Sequence, residues 1–236
     1  METYTNTFDQ SAANAAPEAR ARFIRKTYMH LAGAILAFIA LEVFLFSSGA
    51  ADTIAYTVLG GRFSWFLVLF GFMGVSMLAN WWANSQTSKA MQYLGLGLYV
   101  VAEAIIFVPL LFIVAHFGGG GDVILKAGVV SIGLFLGLTA VVFLTRSDFS
   151  FLGPIVAMGG FLALGFIAAS LLFGFSVGSF FAFAMVALAG TAILYNTSNV
   201  LHRYRTDQHV AASLTLFAAI ALMFWYILQI FSSSRR

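Results

Sequence analysis

Residues 91–116 read MQYLGLGLYVVAEAIIFVPLLFIVAH, twenty-six positions with one charged side chain, Glu103. As an α-helix this stretch rises ~39 Å, more than the ~30 Å of hydrocarbon in a bilayer. The same pattern recurs on either side of it, in apolar runs at about 28–48, 63–83, 125–144, 150–173, 178–200 and 211–231. Polar or glycine-rich breaks separate them: Asp52 with Gly60-Gly61-Arg62, Asn84 to Lys89, Gly118 to Asp122, Arg146-Ser147-Asp148, Phe175 to Gly178, and His202 to His209. Breaks this short force neighbouring helices to run antiparallel. The expected fold is an all-α integral membrane protein of seven transmembrane helices in one bundle.

Composition excludes the alternatives. Of 236 residues, 61% are hydrophobic and 9% are charged, and mean hydropathy is +0.94. A soluble domain carries about 25% charged residues, so a soluble enzyme has no surface to build from here. The strands of an outer-membrane barrel would alternate polar and apolar residues, and these runs do not. A net charge of +3 reports orientation in such a protein, and no nucleic-acid partner is expected. There is no cysteine, which excludes disulfides, thiol catalysis and cysteine metal sites. Residues 1–22 hold no apolar core of the signal-peptide kind. They read as a flexible cytoplasmic tail, with a helix conceivable from Pro17, and residues 23–236 as the single membrane domain.

The basic residues set an orientation. With the N-terminus in the cytoplasm, inner segments hold Arg20, Arg22, Arg25, Lys26, Lys89, Arg146, Arg203 and Arg205. Outer segments hold Arg62, Lys126, Arg235 and Arg236. Eight against four favours N-in and, with seven spans, C-out. A last segment that re-enters without crossing is the alternative topology. Small residues four apart, Gly33 with Ala37 and Gly133 with Gly137, are expected to let helices approach closely, as are Gly159, Gly160 and Gly165.

Only Glu42 and Glu103 place a charge well inside a span. A carboxylate in hydrocarbon costs several kcal/mol, so each is either protonated or turned toward a polar interior. Glu103 follows Tyr99 by one helical turn, which lets the hydroxyl support the carboxyl group. It is read either as an ion or proton ligand or as packing glue. A second polar stripe, Asn196, Asn199 and His202, ends the sixth span, where amides can hold a cation or cap helices. His30, His116 and His209 are isolated in sequence, and no metal site or bound cofactor is expected from them. No Ser–His–Asp order, HExxH, GxSxG or Walker pattern occurs, and the spans contain no Asp, so no enzyme activity is expected.

The stretch Ala192 to His202 (AILYNTSNVLH), with Ala211 to Leu214 (AASL), Tyr226-Ile227-Leu228 and the early Phe23 to Gly33 (FIRKTYMHLAG), resembles the Bax inhibitor-1/YccA family, in its bacterial branch. The resemblance covers about residues 23–231, and Glu103 matches a glutamate recurrent in the family's third span. It implies six helices around a central seventh and a pH-dependent calcium leak gated by two aspartates, one in the sixth span and one in the seventh. At those positions this chain carries Asn196 and Ala218, or Ala219 if the alignment slips by one. Neither side chain titrates, so the aspartyl proton switch is missing.

Two functions follow as expectations. One is an ion leak, calcium being transient cargo, with Glu103, Glu42, Asn196 and His202 as candidate pathway or pH-sensing residues. The other is a membrane-embedded regulator that binds partners such as a membrane-bound protease, its N-terminal tail offering the handle. Either would place the protein in the bacterial inner (plasma) membrane, in contact with the lipid bilayer.

Overall fold

The computed structural model describes residues 11–85, 88–175 and 178–233. Within them lie eight α-helices: α1 (Pro17–Ser47), α2 (Ala50–Leu59), α3 (Arg62–Ala83), α4 (Lys89–Phe117), α5 (Gly121–Thr145), α6 (Gly153–Phe173), α7 (Gly178–His202) and α8 (His209–Ser233). A single 3₁₀ turn, Ser150–Leu152, leads into α6. Seven of the eight are long and apolar enough to cross a bilayer, and they coincide with the seven expected spans. The last is a continuous helix of 25 residues, long enough to cross. Arg235 and Arg236, counted above for orientation, lie outside the described residues, as does the side chain of Arg62.

The eighth element, α2, is too short to span and was not separated from the break in sequence. Gly49, at φ +77°, turns the chain out of α1, and Asp52 places a negative charge in the first turn of α2. Ala51, Ala55 and Val58 form its buried stripe, and it lies against Val108 and Phe112 of α4.

Two helices make the core. α8 packs against α1, α3, α4, α5 and α7, and α4 against α1, α2, α3, α5 and α8. α8 is thus the central helix expected, while α6 packs mainly on α7 and reaches α8 through a small cluster that joins Ala163 to Tyr226. The rings of Phe38, Phe107, Phe217, Phe224 and Trp225 knit α1, α4 and α8 together, with Phe107 lying flat on Phe224 at 5.6 Å and edge-on to Trp225 at 4.9 Å. In lipid such packing, rather than escape from water, holds helices together.

Close approach occurs where the small-residue pattern did not place it. A methyl group at Gly95 would lie 2.5 Å from the Ala79 carbonyl oxygen and 2.6 Å from the Ala83 nitrogen, so α3 and α4 touch backbone to backbone there. Gly33, Gly133, Gly137, Gly160 and Gly165 face open space instead. Of the glycines expected at contacts, only Gly159 meets a neighbour, the Leu188 side chain of α7. Gly33 and Ala37 line an outward groove between α1 and α4.

The N-terminal segment joins the fold ahead of the first span. α1 begins at Pro17, whose fixed φ suits the first helical turn, and runs 31 residues, ~46 Å at 1.5 Å per residue. Its first turns therefore project beyond any hydrocarbon layer. Before it, the Ala12 amide donates to the Tyr204 carbonyl at 2.8 Å, and Ala12 is fully buried. Residues 11 and 12 are held at the α7–α8 connection, and the helix from Pro17 agrees with the sequence. Residues 1–10 of the expected tail lie outside the described residues.

Candidate functional site

A cavity of about 610 Å³ lies between α3 and α4 on one side and α6 and α7 on the other, with α8 as its floor. Lining residues on α8 run from Leu214 to Gln229, fifteen positions along the helix. At 1.5 Å per residue that is ~22 Å, most of the thickness of a bilayer core. The walls are largely aromatic and aliphatic, and the polar groups are spaced along the length. Asn80, Asn196 and Thr215 stand toward one end, Tyr99 and Glu103 midway, and Ser170 and Gln229 toward the other.

The residues singled out in sequence divide here. Glu103, Asn196 and Ala218 all line this cavity. Glu103 sits on α4, a helix buried on most of its faces, and only 6% of the residue is exposed. Tyr99, one turn earlier on α4, lines the same cavity. Asn196 reaches across from α7 and donates its side-chain amide to the Thr215 carbonyl of α8 at 3.2 Å. Thr215 in turn meets the Tyr204 hydroxyl at 3.2 Å. Burial pushes the Tyr204 phenol above its ordinary range. Ala218, one turn beyond Thr215, leaves a methyl group where the family resemblance places a carboxylate.

Glu42 and His202 are elsewhere. Glu42 extends the buried stripe of α1 formed by Phe23, Thr27, Leu31, Ala34 and Phe38, and it does not line the cavity. It is 8% exposed, and both carboxyl oxygens are buried without a hydrogen-bond partner. His202 closes a loop. Its Nδ1 donates to the Ser198 carbonyl at 3.0 Å, while the Ser198 hydroxyl accepts from the Phe149 amide at 2.9 Å and donates to Asp148 at 3.3 Å. Asp148 also accepts from the Ser150 amide at 2.9 Å. That backbone hydrogen bond, first among several, holds the Asp148 carboxyl below its usual range. The network ties the α5–α6 connection to the end of α7 and lies apart from the cavity.

The isolated histidines are also placed. His30 and His209 come together across α1 and α8 with ring centres 4.9 Å apart, and His30 Nε2 meets the Tyr93 hydroxyl at 3.1 Å. His116 lies tilted against Phe112 within α4, ring centres 4.3 Å apart. Among the described residues no three His, Asp or Glu side chains gather as metal ligands would.

Sequence reasoning missed Asn80, Thr215 and Gln229 as cavity residues. Gln229 had a visible signal, a lone amide one turn after Trp225 and Tyr226 in an apolar run. Thr215 had none, because its role is carried by a backbone carbonyl.

The comparisons with known proteins agree with the fold. The family model described as Inhibitor of apoptosis-promoting Bax1 matches residues 20–236. The chain is 30% identical over 227 residues to Bax inhibitor 1 of Schizosaccharomyces pombe, covering 92% of this chain and 79% of that one. It is 27% identical over 226 residues to Protein LIFEGUARD 4 of Arabidopsis thaliana, covering 93% and 87%. An uncharacterized protein of Pseudomonas aeruginosa is 30% identical over 172 residues, 70% of this chain and 73% of its own. No solved structure matches the chain at a significant level. With seven apolar spans, a central α8 and a family match over nearly its whole length, this chain belongs to the Bax inhibitor-1 family of multi-pass membrane proteins.

Proposed function

We propose that the protein is a non-enzymatic cation leak, with calcium as cargo, working without the aspartyl proton switch. The observation that carries this reading is the convergence of Glu103 and Asn196 on one cavity running along α8. A hard cation takes oxygen ligands. The Glu103 carboxylate, the Asn196 and Asn80 amide carbonyls and the Tyr99 hydroxyl supply oxygens at successive depths. At the positions of the family's two aspartates stand an amide and a methyl group, and neither takes up a proton near neutral pH. Orientation follows the basic residues, with the N-terminus in the cytoplasm and the bundle in the bacterial inner membrane. The test is calcium flux into proteoliposomes. Glu103→Gln is expected to lower it tenfold or more, and equal flux from the two proteins overturns the reading.

A second reading, a regulator that binds a membrane-bound protease or another membrane protein, has its own support in the Ala12–Tyr204 strap. A partner pulling on the N-terminal segment would draw on the α7–α8 connection at Tyr204, two residues beyond His202 and close in sequence to Asn196. Deleting residues 1–12 separates the two readings. Loss of partner effects with flux intact favours the regulator, and loss of flux with partner effects intact favours the leak.

A further inference from the structure

The leak reading uses the oxygens of the cavity and leaves its walls unexplained. A path built for a hydrated divalent ion has no need of stacked indoles, yet Trp65 of α3 and Trp225 of α8 lie nearly parallel with ring centres 6.3 Å apart. Phe107 stands edge-on to Trp225 at 4.9 Å, and farther along Phe181 meets Tyr226 at 5.8 Å. Glu103 lies one turn from Phe107 on the same helix, so the carboxyl group and the aromatic faces share one space. Among the described residues no Lys, Arg, His or Asp lines the cavity, and Glu103 is its one carboxyl group, with no counter-cation beside it. The volume of about 610 Å³ is that of a site for one drug-sized molecule.

The cavity also has a way in from lipid. Its outer walls are α3 and α6, both largely exposed on the outside of the bundle, and these two make no substantial contact with one another across it. A molecule dissolved in the bilayer reaches Glu103 by passing between them, without crossing the packed α4–α8 core.

We propose that this cavity is a binding site for a lipophilic monovalent organic cation, an ammonium or phosphonium carrying aromatic or aliphatic groups, taken up from the membrane between α3 and α6. One carboxylate balances one positive charge. Aromatic faces attract a diffuse cation and accept its apolar groups. The Asn196 and Thr215 end offers hydrogen-bond acceptors to an N–H head group where one is present. A divalent metal ion keeps one unbalanced charge here, which suits passage rather than lasting occupancy, and an organic anion of the same size would meet Glu103 with no cation to pair with. The inference stands apart from the leak reading, because it concerns equilibrium occupancy in the absence of any gradient.

The experiment uses the full chain in lipid nanodiscs and a pair of ions alike in size and opposite in charge, tritiated tetraphenylphosphonium and tetraphenylborate, with empty nanodiscs as the background. Saturable binding of one phosphonium per chain is expected, with quenching of tryptophan emission and no saturable tetraphenylborate. Glu103→Gln is expected to weaken phosphonium binding tenfold or more, while the surface variant Glu18→Gln leaves it unchanged. If Glu103→Gln fails to fold, the cation–anion comparison on the unaltered protein decides alone. Equal saturable binding of both ions, no saturable phosphonium binding, or an unchanged affinity in folded Glu103→Gln overturns the proposal. A flux defect in Glu103→Gln with phosphonium binding intact would leave the leak standing and remove this site.

Discussion

The side-chain amide of Asn196 on α7 donates to the backbone carbonyl of Thr215 on α8 across 3.2 Å, where the family resemblance places an ionisable carboxylate. An amide can make this bond at any pH. A carboxyl group can make it only while protonated, because its ionised form sets one oxygen against another. Asn196→Asp together with Ala218→Asp puts two carboxyl groups into one cavity, where they share a proton and titrate as a pair. The double variant is expected to gain a calcium flux that changes between neutral and mildly acidic pH and that survives addition of Glu103→Gln. A flat profile in the double variant would show that the two positions do not face each other as the cavity implies.

Packing gives a contrast between two glycines. Gly95→Ala drives a methyl group against the backbone of α3 and is expected to destabilise the protein by ~1–3 kcal/mol. Gly33→Ala enters open space within a helix and is expected to be neutral or to stabilise by up to ~1 kcal/mol through helix propensity. Thermal unfolding of the two variants in the same detergent measures the difference.

Glu42 carries a buried carboxyl group that nothing in the described residues satisfies. Glu42→Met keeps the volume and removes the polar atoms, and should raise stability by ~1–3 kcal/mol. Calcium flux should not change, since Glu42 lies off the cavity. A fall in flux would return it to the pathway.

Asp148 makes an acid-sensitive joint. Its carboxyl pKa is lowered in the folded protein, chiefly by the Ser150 backbone amide. Its contribution to stability is therefore complete above the ordinary aspartate range and is lost as pH falls through the lowered value. Asp148→Asn keeps an oxygen acceptor for Ser150 without the proton. Its unfolding midpoint should show a shallower acid limb than that of the unaltered protein, with the two curves parallel at neutral pH.

The seven spans were legible because each is an apolar run of bilayer length between short polar breaks, a signal that needs no tertiary information. α2 was not, since its ten residues, AADTIAYTVL, are too short for a span and carry Asp52, which reads as part of the polar break. Glu103 was found because an acid is conspicuous in hydrocarbon, and Tyr99 because helical spacing alone brings it alongside. Gly95 was missed, and Gly133 with Gly137 wrongly favoured, because a small-residue repeat says that a face is smooth but not whether a helix lies against it. His202 was grouped with Asn196 by position on α7, yet the α5–α6 connection claims it through Ser198, a partner about fifty residues distant in sequence from Asp148.

The helix at the centre of this bundle follows all the others in chain order. α1, α3, α4, α5 and α7 each keep a face for α8, and none can settle that face until residues 209–233 have left the ribosome. Until then the cavity around Glu103 lacks its floor. The nascent chain thus passes through a stage in which its spans are inserted but unassembled. A fault in its final helix would be felt by the entire molecule, whereas a comparable fault in α6, which packs mainly on α7, would be felt chiefly by its neighbour.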